Sequence, residues 1–88
     1  MNWNAIVQDI DGQDVKPAIT YRDAVAKLLM VPDESDNADT KYDKYKLATK
    51  LMADQEVELT AAQVALVKKA SGKFGSPLFH GRICDFIM

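Results

Sequence analysis

The chain has 88 residues, of which 48% are hydrophobic, 27% charged and 8% aromatic, and its formal net charge is −2. That length holds a single hydrophobic core and that balance is typical of a folded globular domain, which excludes a multidomain enzyme, a collagen-like chain and a disordered one. No apolar run reaches the roughly 18 residues of a membrane span, and one cysteine leaves no internal disulfide and suits a reducing cytosol.

Residues 1–19 open with Trp3, Ala5 and Val7 alternating with Asn4, Ile6 and Gln8. Asp11-Gly12 then signals a two-residue type I′ turn, which needs positive φ at both positions. Val15 and Ile19 continue a returning strand, with Pro17 on its edge because it has no N–H for the ladder. A short hairpin of this kind must lean on helices to be stable. The opening MNWNAIVQDIDG has neither a basic start nor a long apolar stretch, so no secretory signal is expected.

Four helices are predicted next. Thr20 caps a helix over about 21–30, stopped by Pro32. Residues 33–39 (DESDNAD) have no apolar period and form an acidic, flexible loop. Thr40, with Asp43 three residues on, starts a second helix that ends near Ala53-Asp54, burying a stripe of Tyr45, Ala48, Leu51 and Met52 with Leu47 at its flank. Thr60 and Gln63 form a capping box, and Leu59 with Val64 has the spacing of a hydrophobic staple. The third helix therefore runs over 61–71 and ends where Gly72 takes a left-handed conformation. Ser76-Pro77 reads as cap and first-turn proline of a fourth helix to about Ile87. Its wide apolar face (Leu78, Phe79, Ile83, Phe86, Ile87) must dock on its own core or on another chain. The expected fold is thus mainly α (α+β): one domain over 1–88, four short helices and a small N-terminal β-hairpin.

Reactive constellations are missing. The glycines of GKFGS match no phosphate-binding fingerprint. One His and one Cys fall short of a zinc site, and the acids of 33–39 lack the alternation and the glycine of a calcium loop. His80 and Cys84 stand i, i+4 on the last helix, a conceivable nucleophile pair, but Cys84 lies on the apolar side and behaves there as a small hydrophobe. No enzyme activity, cofactor or metal is expected.

Charge is polarised along the chain: residues 1–40 balance to −5 and residues 41–88 to +3. The feature that rises above background is a basic cluster of Lys68, Lys69 and Lys73, joined by Arg82 from the next helix and by the aromatic Phe74. It is the candidate partner-binding site, for an acidic protein surface or a phosphate backbone. A pI near 5.2 argues against nucleic acid as the default ligand. Tyr42 and Tyr45 on the lysine-rich second helix are a lesser candidate, with Tyr45 assigned to the core.

Several strings, namely Asp9-Ile10-Asp11-Gly12, Lys44-Tyr45-Lys46-Leu47-Ala48, Val57-Glu58-Leu59-Thr60, Gly72-Lys73 and Pro77-Leu78, resemble a group of small tailed-bacteriophage proteins. The shared motifs are caps, turns and core positions and carry no known chemistry. The resemblance implies a phage or prophage setting in the cytoplasm of a bacterial host. The expected function is a non-catalytic interaction module that modulates or inhibits a larger host or phage protein. The alternatives are a phage assembly protein and a nucleic-acid-binding regulator using the basic patch. Homo-oligomerisation is expected, if anywhere, through the C-terminal helix.

Overall fold

The computed structural model describes residues 1–88. It contains four helices: α1 (Tyr21–Leu29), α2 (Ala38–Ala53), α3 (Ala61–Phe74) and α4 (Pro77–Ile87). The chain is mainly α, as its hydrophobic periodicity predicts. Helix α1 is central in the packing and contacts α2, α3 and α4, while α3 pairs with α4. None of the helices is long and apolar enough to cross a membrane.

Side-chain caps begin each helix. Thr20 accepts from Asp23 N and Ser76 from Phe79 N, each at 3.2 Å. At Thr60 both halves of the capping box are made, at 3.2 Å and 2.9 Å. Helix α2 departs from expectation: its cap is Asn37, whose Oδ1 accepts from Thr40 N at 2.8 Å, so it starts at Ala38. Asparagine is the stronger cap, and it lies one turn ahead of the threonine.

Helix α3 also runs on past Gly72 to Phe74 and ends at Gly75 in an extended conformation. Gly72 serves another purpose. A Cβ there would stand 3.2 Å from Cε1 of His80, so the missing side chain lets α4 approach α3 closely.

The N-terminal segment holds two isolated antiparallel bridges, Ile6–Thr20 and Gln8–Asp14, in place of a continuous hairpin. One residue, Val7, lies between the bridges on one side and five on the other. Val7 N donates to Ile19 O at 2.9 Å and Val15 N to Val7 O at 3.1 Å, so residues 16–18 bulge out between them. The turn is also tighter in chemistry than a type I′ pair. Only Gly12 has positive φ (+84°), and its N–H donates to Asp9 O at 3.0 Å while Asp9 N donates to Gln13 O at 2.6 Å.

The core is built around Trp3, Val25, Leu29, Leu47, Leu51, Val57, Val67 and Ile83. Trp3 Nε1 donates to Val57 O at 2.8 Å, and Phe86 meets the Trp3 ring edge-on at 5.0 Å and stacks on Tyr21 at 4.1 Å. Buried Arg22 fastens the α2–α3 connection by donating to the carbonyls of Asp54 and Gln55. Ile83 and Ile87 of the apolar face of α4 are buried in this core. Leu78, Phe79 and Phe86 of the same face are half-buried.

Candidate interaction surface

The basic cluster does not assemble as a free patch. Lys73 Nζ lies 2.6 Å from Oδ1 of buried Asp33 and 5.6 Å above the Phe74 ring. Arg82 donates through Nε to Gln8 O at 3.0 Å and through Nη2 to Asp9 O at 2.6 Å, bracing the N-terminal turn. Phe74 is half-buried and lines a cleft with Leu28 and Phe79. Lys68 and Lys69 remain exposed on α3 without an ion pair. Two of the four cations are thus committed to internal contacts, and an interface of five convergent residues is not what the fold presents.

The acidic loop is likewise pinned, where solvated flexibility was expected. Asp33 accepts from Lys73 and from the Ser35 hydroxyl (2.7 Å) and N–H (3.0 Å). Lys44, itself buried, reaches Asp36 Oδ2 at 2.5 Å and Asp33 Oδ2 at 4.0 Å. The Lys73 hydrogen bond first, and those from Ser35 next, hold the Asp33 carboxyl well below the usual carboxylate range.

Burying Lys44 turns α2 about its axis. Its inward residues are Lys44, Leu47, Ala48 and Leu51, so Tyr45 and Met52, expected in the core, face outward at 53% and 57% exposure. Beside them lies a groove of about 570 Å³ between α1 and α2. Ala26 and Ala48 form its buried floor, Met30, Tyr45 and Met52 its walls, and Lys27 is the one charged residue lining it. Tyr42, 60% exposed, stacks on Tyr45 at 6.3 Å and extends the apolar stripe along α2. Beyond Met30 and Tyr45 the groove runs into a second cleft of about 370 Å³, edged by Asp33, Glu34 and Lys41.

Apart from Lys27 and the Tyr45 phenol, the one polar side chain lining the α1–α2 groove is Thr49. Its hydroxyl donates to Tyr45 O at 2.9 Å. His80 and Cys84 do meet, with Sγ 3.7 Å from Nε2, but they lie outside the larger clefts. The ring is oriented by Ser71, whose Oγ is 2.9 Å from Nδ1 and also donates to Lys68 O. With that hydroxyl proton spent, Ser71 accepts from Nδ1–H, and the trio reads as an interhelical fastener. No three His, Cys, Asp or Glu side chains converge in metal-ligand geometry.

The groove escaped the sequence reading because it depends on how α2 is rotated. Only the aromatic pair on a lysine-rich helix hinted at it. No protein-family model, no curated protein and no solved structure matches the chain.

Proposed function

We propose that the protein is a non-catalytic interaction module that docks through the α1–α2 groove on a larger host or phage protein and modulates or inhibits it in the bacterial cytoplasm. The observation that carries this reading is the cluster of Met30, Tyr42, Tyr45 and Met52, all more than half exposed around one groove. An aromatic side chain presents about 200 Å² when fully exposed, so Tyr42 and Tyr45 each leave ~100 Å² open to water. Exposed Met30 and Met52 enlarge that to a patch of a few hundred Å², the size of the largest apolar patch on an ordinary monomer, which is often functional. Methionine and tyrosine suit that role, since thioethers adapt to a partner's shape and tyrosines are enriched in interface cores. The phage setting rests on the sequence resemblance.

Capture from a bacterial lysate on the immobilised full chain tests the reading. Met52→Glu is expected to abolish recovery of the partner while leaving the melting temperature unchanged, and the Lys68→Glu, Lys69→Glu double variant is expected to retain it. Loss with the lysine variant and retention with Met52→Glu would return the site to the basic cluster.

A further inference from the structure

A second surface feature, at the opposite end of the hydropathy argument, is the turn over residues 9–12. Ile10 at its tip is 85% exposed, the most exposed large hydrophobic residue in the chain. The loop that carries it is built. Gly12 closes the turn in the left-handed conformation, Asp9 Oδ1 accepts from Ile10 N at 2.7 Å, and Asp11 Oδ1 accepts from Gln13 N at 2.9 Å. From α4, Arg82 clamps the carbonyls of Gln8 and Asp9. These bonds fix the backbone that carries the exposed Ile10 side chain, which lowers the ordering cost of a contact made by the turn. Around it stand Asp9, Asp11 and Asp14, none of them ion-paired.

The α1–α2 groove has the complementary character. Its floor and walls are apolar and the charge lining it is Lys27. In the adjoining cleft Lys41 stands with Glu34, while Asp33 and Asp36 there are paired internally with Lys73 and Lys44. Neither Lys27 nor Lys41 has an ion-pair partner within the chain. We propose that the Ile10 turn of one molecule seats in the α1–α2 groove of a second copy, with its acidic collar against Lys27 and Lys41. This rests on reading the groove as the docking face and names one occupant of it. Turn and groove are different patches of one chain, so the contact is heterologous, and each added copy presents a fresh turn or a fresh groove. Growth then ends in a ring or continues as a filament, which is the behaviour of an assembly protein. A loop tip in a groove buries less than the ~1,200 Å² of a stable complex, so the association is weak and follows concentration.

Sedimentation equilibrium of the full chain, carried to about 1 mM because the contact is small, tests the proposal. The mass is expected to climb with concentration above the 9.8 kDa of one chain and to fall back as salt screens the collar. Ile10→Glu and Met52→Glu should each remain monomeric, with Ile10→Ser as the control should the glutamate disturb the turn. Mixed in equal amounts, the first supplies an intact groove and the second an intact turn, so a dimer and nothing larger is expected. A monomeric wild type, an Ile10→Glu variant that associates as the wild type does, or a mixture that stays monomeric would each overturn it. If the wild type is monomeric while Met52→Glu still loses the lysate partner, the occupant is wrong and the groove stands.

Discussion

Lys44 and Asp33 show at the scale of single residues why part of this molecule could not be read from its sequence. A lysine on a helix is ordinarily surface, yet Lys44 is buried against Asp36 and Asp33, eight and eleven positions away along the chain. No local pattern announces that pairing, and with it Lys44 joins Leu47, Ala48 and Leu51 on the inward face of α2. The Asp33 carboxyl titrates below its unfolded value, so the unfolded chain takes up its proton first as pH falls. The stability it adds is complete above the ordinary Asp range near 4 and is lost as pH drops from there through the lower folded value. Thermal melts of wild type and Asp33→Asn should therefore differ most at neutral pH, and the gap should narrow below about pH 4. A gap that ignores pH would contradict the assignment. Trp3 offers a second check at this scale. Trp3→Phe strands the buried Val57 carbonyl and should cost roughly 1–3 kcal/mol in chemical denaturation.

Helix starts were legible wherever one residue offered the cap. Thr20, Thr60 and Ser76 all cap as their spacing predicts, because a cap is a contact within four residues and needs no tertiary information. At α2 the cap is Asn37 in place of the expected Thr40. Asn37→Ala should accordingly cost about 1 kcal/mol, whereas Thr40→Ala should cost little. Thr60→Ala should cost about 1 kcal/mol as well, a fall in melting temperature of roughly 4–8 °C for a domain of this size. The N-terminal turn was legible only in part. Gly12 does take positive φ, but a continuous ladder does not form because residues 16–18 are surplus to the pairing. Gly72 was misread for a similar reason: its use lies in the approach of His80 from another helix.

At the scale of the whole molecule, four helices and a single core follow from periodicity and length, and the packing of α4 onto Trp3 and Tyr21 closes that core without a second chain. The candidate site fared differently, because a surface is what remains after tertiary contacts have been made. Lys73 and Arg82 were counted as free charges, and the fold spends both, one on Asp33 and one on the Asp9 turn. Tyr45 and Met52 were counted as core, and the rotation of α2 leaves both in solvent. Residue types alone therefore did not locate the exposed apolar face of α2. Hydrogen exchange on the captured complex, compared with the free protein, tests that location most directly. Binding through the groove predicts new protection in residues 26–30 and 45–53, with 68–73 unchanged. Protection concentrated around Lys68, Lys69 and Arg82, with α1 and α2 exchanging as in the free chain, would contradict it.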